Sequence, residues 1–96
     1  MHFAEYDLWE IVVPHSVDFE SWYETIRAEL VDGGMMLLNN NLQGYWKSES
    51  EHCKVFRLAC NDASIRRICQ ITSDVFLQES VLAYRVSTKC ILGYNE

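Results

Sequence analysis

Apolar residues recur along this chain in two alternating rhythms. Over residues 6–13, Trp9, Ile11 and Val13 share one parity and Leu8, Glu10 and Val12 the other. That period of two predicts a strand with one fully apolar and one mixed face, closed by Pro14. The spacing then changes: Phe19, Trp22, Tyr23, Ile26 and Leu30 follow a helical stripe, so residues 19–31 read as an amphipathic helix, with Asp18 as its cap and Asp32-Gly33-Gly34 as its stop. The next segment opens on the apolar run Met35-Met36-Leu37-Leu38. It passes a turn-like Asn39-Asn40-Asn41 and reaches a strand over residues 42–47, where Gly44 suggests a bulge or a close backbone approach. The polar turn Ser48-Glu49-Ser50-Glu51 joins that strand in a hairpin to a well-alternating one, Phe56, Leu58 and Cys60 against Val55, Arg57 and Ala59.

Asn61-Asp62 then caps a second helix over about residues 63–78, whose stripe is Ile65, Ile68, Cys69, Thr72, Val75 and Phe76. Arg66 and Arg67 sit in its first half, unfavourably placed for the helix dipole, which points to a salt bridge or a contact. Residues 81–92 form one strand bent near Ser87-Thr88, or two short strands, followed by a tail. The order strand, helix, strand, strand, helix, strand predicts an α+β domain of the ferredoxin-like, split βαβ type. It implies a four-stranded antiparallel sheet in the order 4-1-3-2 with both helices on one face.

Four pieces of the C-terminal half carry a resemblance: Gly44-Tyr45-Trp46-Lys47, Cys53-Lys54-Val55, Gln78-Glu79-Ser80-Val81-Leu82 and Lys89-Cys90. In this order they resemble an uncharacterised family of small bacterial proteins with a glycine-x-tryptophan-basic strand and a Gln-Glu-Ser-Val-Leu turn. The resemblance covers about half the chain and implies the same ferredoxin-like fold. The family tends to place arginine directly after the leucine, where this chain has Ala83-Tyr84 before Arg85, and the family has no established activity to carry over.

Composition agrees with a single globular domain spanning residues 1–96, since 49% of the 96 residues are apolar and 23% charged. The net charge of −6 is unevenly spread. Residues 1–32 hold eight acidic residues against Arg27 alone, a net −7, while the remainder sums to +1. Glu20, Glu24 and Glu29 of the first helix then form an acidic surface that suits a basic, nucleic-acid-handling protein partner. The charge argues against direct nucleic-acid binding, which needs a basic face, and the fourth segment lacks the glycines of an RNA-recognition strand. No apolar run approaches the roughly 20 residues of a membrane span, and the N-terminal residues do not read as an export signal, so a cytoplasmic location with reduced thiols is expected. Cys53, Cys60, Cys69 and Cys90 have no C-x-x-C spacing and the three histidines form no close pair, so neither metal nor cofactor is expected.

The functional expectation rests on the sheet's helix-free face. If Trp9 and Ile11 face the helices, Glu10, Arg57 and Arg85 form a row on the opposite face, flanked by Val12 and Val55. So apolar a face predicts coverage, first by a second copy in a homodimer with Arg–Glu pairs and otherwise by a small anionic ligand. The chain thus reads as a non-catalytic binding module. An enzyme is the further alternative, with Trp22, Tyr45 and Trp46 lining an aromatic pocket. His15, Ser16 and Asp18 have the residue types of a nucleophilic site, but their position before a helix better suits capping.

Overall fold

The computed structural model describes residues 1–15, 18–30, 34–46 and 49–95, and the side chain of Trp46 lies outside the described part. The elements are β1 (His2–Pro14), α1 (Phe19–Ile26) with a 3-10 turn over Arg27–Leu30, β2 (Met35–Trp46), β3 (Glu49–Cys60), α2 (Asp62–Phe76) and β4 (Ala83–Tyr94). All pairings are antiparallel, in the order β2-β3-β1-β4, which is the expected 4-1-3-2 read from the other edge. Trp9, Ile11 and Val13 of β1 and Phe56, Leu58 and Cys60 of β3 meet Trp22 and Ile26 of α1 and Ile65, Ile68 and Phe76 of α2 in one buried cluster, so both helices cover the same face. The parity of β1 and the stripe of α2 follow the sequence pattern. Tyr23 of the first stripe is exposed instead.

Polar side chains buried in this core are partnered. The Trp9 indole N–H donates to the Cys60 carbonyl at 3.1 Å. That of Trp22 donates to Thr72 Oγ1 at 2.8 Å, and Thr72 in turn donates to the Ile68 carbonyl at 2.6 Å. Trp22 also packs on Phe19, Phe56 and Phe76, with ring centroids 5.4, 5.2 and 6.1 Å away. An indole is buried at low cost when its single donor has an acceptor, which Thr72 provides from the other helix.

Several boundaries differ from the sequence pattern. Asn39-Asn40-Asn41 is no turn. β2 runs straight through it, with irregular register between Leu37 and Asn39 and between Asn39 and Leu42. As an edge strand β2 pairs on one side alone, so asparagine is tolerated there, and Asn39 Oδ1 accepts the Asn41 N–H at 2.9 Å. Of the expected polar turn, Glu49, Ser50 and Glu51 belong to β3, and Ser48 lies outside the described part. The expected tail is also strand: Gly93 and Tyr94 pair with Phe3 and His2. Of the two readings of the last segment, the single strand is found, and its register with β1 is irregular around Ser87, between Tyr6 and Leu8 and between Leu8 and Trp9. Asp18 precedes α1 without a side-chain cap bond, whereas Asn61 Oδ1 accepts the Ser64 N–H at 2.8 Å. Asp32 and Gly33 of the expected helix stop, like Ser16, lie outside the described part.

The strands are offset. Residues 2–6 of β1 pair with β4 alone, and residues 43–46 of β2 with β3 beyond the last β1–β3 pair, Pro14 with Cys53. Two-stranded ribbons therefore project from a four-stranded centre, and the molecule measures 47 × 24 × 22 Å.

The end of α2 allows a direct stability prediction. Leu77 adopts φ 52° and ψ 45°, the left-handed conformation that closes a helix, and is 89% exposed. Its side chain is strained there while contributing little burial. Leu77→Gly is expected to raise stability by about 0.5–1 kcal/mol. Thermal unfolding followed by circular dichroism checks this, and a lower melting temperature contradicts it.

Candidate functional site

Three side chains meet at the centre of the helix-free face. Register sets Glu10 opposite Arg57 on β3 and opposite Tyr84 on β4. Arg57 donates to Glu10 Oε2 from Nη2 at 2.6 Å and from Nε at 3.2 Å. The Tyr84 hydroxyl donates to Glu10 Oε1 at 2.6 Å. The carboxylate is 11% exposed and the guanidinium side chain 34%. With both oxygens occupied, Glu10 is held below the usual carboxylate range, first by the Tyr84 hydroxyl and then by Arg57, against the opposing effect of burial. The same bond pushes the Tyr84 phenol above its usual range. Val12 and Val55 are cross-strand partners next to this row, with Val55 buried. Leu8 and Val12 are half-buried on this face, and Met36, opposite Arg57, is 58% exposed.

Arg85 does not join the row. It pairs with Trp9 in register and so lies on the helix side. Its guanidinium stands 4.8 Å from the Trp9 ring centroid and reaches Asp7 at 3.5 Å and Asp62 at 3.4 Å. Tyr84 takes the place expected for it. A shift of one residue moves a side chain to the other face. The signal was available: Val81 and Ala83 share Arg85's parity, and both pack on the core.

The acidic helix is less bare than its sequence suggests. Glu24 pairs with Arg27 at 3.2 Å, both well exposed, and Glu29 in the 3-10 turn pairs with Arg67 of α2 at 2.7 Å. Glu20 is exposed in the first turn of α1. Arg66 pairs with Asp62, so both arginines of α2 have carboxylate partners. The acidic N-terminal third is thus bridged by three arginines from the remainder, through Glu10–Arg57, Glu29–Arg67 and Asp7–Arg85.

The expected aromatic pocket is not formed by Trp22 and Tyr45. Trp22 is fully buried among aromatic rings, while Tyr45 is 77% exposed on the β2–β3 ribbon. A concavity does exist nearby, with a volume of about 550 Å³. It arises because β1 stops at Pro14 while the ribbon continues, and the loop after α2 closes the gap. Val12, Val13 and Leu82 line its floor, and Thr72, the acceptor of the Trp22 indole, reaches its wall. The charged residues lining it, among those described, are Glu49, Glu51 and Glu79. Gly44 lines this wall too, and it is the close approach that the sequence suggested: a Cβ there would stand 2.9 Å from Cys53 Sγ.

The four cysteines are free thiols. Burial pushes Cys60 up to about 12, aided by the Asp7 charge, and burial also raises Cys53 and Cys69. A thiol held neutral is a poor nucleophile and a poor metal ligand. Among the described residues no cluster of three metal-ligating side chains forms, and no helix is long and apolar enough to cross a membrane.

Neither a protein-family model nor a curated protein matches the chain. Solved structures do. A nitrogen regulatory PII-like protein from Thiomonas intermedia K12, bound to ADP, AMP and bicarbonate, is similar at 13% identity and TM-score 0.63, over 99% of this chain and all of that one. CutA1 from Oryza sativa is similar at 8% identity and TM-score 0.61, over 96% of this chain and 84% of its own. CutA from Synechococcus elongatus PCC7942 is similar at 8% and 0.58, over 95% and 85%. At these identities the likeness concerns the fold.

Proposed function

We propose that this protein is a non-catalytic binding module of ferredoxin-like fold that self-associates as a homodimer through its helix-free sheet face. The observation carrying this reading is the Glu10–Arg57–Tyr84 network, a nearly buried charge on a face with no covering layer of its own. Its apolar surround, with Met36 and Tyr84 exposed beside Leu8 and Val12, suits contact better than water. Surface area points the same way. A compact monomer of this mass exposes about 5,700 Å², and this chain exposes 6373 Å². The excess of roughly 700 Å² is close to what one partner contributes to a standard interface. A two-fold pairing also sets equal patches together, so each Arg57 has donors left for the opposite copy.

The nucleotides bound by the PII-like relative need cationic groups for their phosphates. The described residues lining the concavity offer carboxylates instead, so the reading takes no nucleotide from that likeness. Docking of the acidic first helix on a basic protein is the second reading, and the pairing of Glu24 with Arg27 and of Glu29 with Arg67 weakens it.

Light scattering at micromolar concentration tests the proposal. A dimer is expected, and Met36→Lys, which adds a positive charge to the face opposite Arg57 while keeping Glu10, Arg57 and Tyr84, is expected to weaken it at least tenfold. Arg57→Glu should abolish it. A monomer in the unaltered protein, or a dimer indifferent to Met36→Lys, overturns the proposal.

A further inference from the structure

We infer that the β2 strands of two copies pair antiparallel, edge to edge, and close the two facing sheets along one side. This rests on the homodimer proposed above and states where it is sealed. The edge itself comes first. Residues 36–43 are all exposed, among them Met36, Leu37, Leu38 and Leu42 at 58, 48, 45 and 38%. The strand Met35–Trp46 carries no charged residue and no proline. Charge and proline are what normally keep an edge from pairing. The other edge strand, β4, has Arg85 and Lys89.

Sequence then selects a second copy as the occupant. A two-fold axis sets a strand antiparallel to itself, so residues at equal distances on either side of the axis meet. Leu38-Asn39-Asn40-Asn41-Leu42 reads the same in both directions. With the axis at Asn40, Leu38 of each copy meets Leu42 of the other, asparagine meets asparagine, and Met36 lies opposite Gly44. No like charges are apposed, and an unrelated strand gains nothing from the palindrome. Asn39 Oδ1 already accepts the Asn41 N–H at 2.9 Å, so residues 36–38 and 42–44 carry the ladder. One axis serves face and edge together. Lying between two facing sheets and perpendicular to their strands, it sets β2 over β2 with its direction reversed. The register irregularities between Leu37 and Asn39 and between Asn39 and Leu42 bend β2, as a strand bends where it passes from one sheet to another.

Nuclear magnetic resonance on the full chain tests the seam. In a sample mixed from labelled and unlabelled copies, isotope-filtered spectra should show contacts between Leu38 of one copy and Leu42 of the other. Amides of residues 36–38 and 42–44 should gain protection from hydrogen exchange as protein concentration rises. The double variant Leu38→Lys, Leu42→Lys sets ammonium groups against each other across the seam and should weaken the dimer at least tenfold, with the monomer still folded by its amide spectrum. Thr88→Lys, a charge on the exposed part of the other edge, should leave the dimer unchanged. A dimer that lacks the Leu38–Leu42 contact, gains no protection along β2 or tolerates the double variant overturns the edge pairing and leaves the face pairing standing. A monomer in the unaltered protein overturns both.

Discussion

Trp22→Ala is expected to lower stability by about 3–5 kcal/mol, the range for truncating a fully buried aromatic side chain. In a domain of this size that displaces the melting temperature by roughly 15–30 °C, and since total stability is of order 5–15 kcal/mol, the variant is expected to be partly unfolded at 37 °C. Three losses coincide at this position. The indole is wholly buried, it contacts three phenylalanine rings, and its N–H bridges the helices through Thr72. Trp22→Phe separates them. It keeps most of the aromatic surface but removes the donor, and Thr72 can still donate to the Ile68 carbonyl. A cost of about 1–2 kcal/mol follows. Urea unfolding of both variants checks the pair, and equal losses would mean that the hydrogen bond dominates and the packing argument is wrong.

The second large effect concerns the network on the open face and its dependence on pH. Glu10 has a folded pKa below its unfolded value. Its contribution is therefore complete above the unfolded value and disappears as pH falls through the folded one. Tyr84 has a folded pKa above its unfolded value, so its contribution is complete below the unfolded value, about 10, and disappears as pH rises through the folded one. One hydrogen bond thus sets both an acid and an alkaline limb. Tyr84→Phe removes the largest cause holding Glu10 down, so the acid limb should move to higher pH and the tyrosine part of the alkaline limb should vanish. Glu10→Gln leaves Arg57 without its counter-charge and is expected to cost about 1–3 kcal/mol near pH 7. Urea midpoints from pH 3 to 11 decide the matter: an acid limb unchanged by Tyr84→Phe would contradict the assignment.

Element order, the stripe of α2, the stripe of α1 apart from Tyr23, and the core parity of β1 were legible because each follows from a period that burial imposes. Glu10 and Arg57 were legible for the same reason, since their strands sit at the centre of the sheet and alternate without interruption. Arg85 and Tyr84 were harder. Both parities at the start of the last segment carry apolar residues, Val81 and Ala83 beside Arg85 against Leu82 beside Tyr84, so alternation alone does not choose the inward one. The three asparagines misled for a different reason. Their turn preference reflects side chains that bond local backbone, and an edge strand tolerates that chemistry because its outer side has no ladder to maintain. The concavity has no local signature, since its walls are brought together by the end of β1, the ribbon and a loop some thirty residues away.

β1 stands between β3 and β4, so the first strand of the chain is completed by its last. During synthesis β1 emerges with both edges unpaired. It gains one neighbour when β3 appears and the other when β4 does, after the second helix. Until then an apolar strand presents its backbone to any other strand it meets, the situation in which nascent chains associate wrongly. Pairings this distant in sequence also slow folding, because loop closure precedes the contacts that reward it. Glu5, Asp7 and Glu10 are spaced along β1, and like charges on the same strand of two nascent chains repel. The acidic bias of the N-terminal third therefore opposes such pairing until three arginines of the later chain pair with Asp7, Glu10 and Glu29, three of its eight carboxylates, in the finished fold.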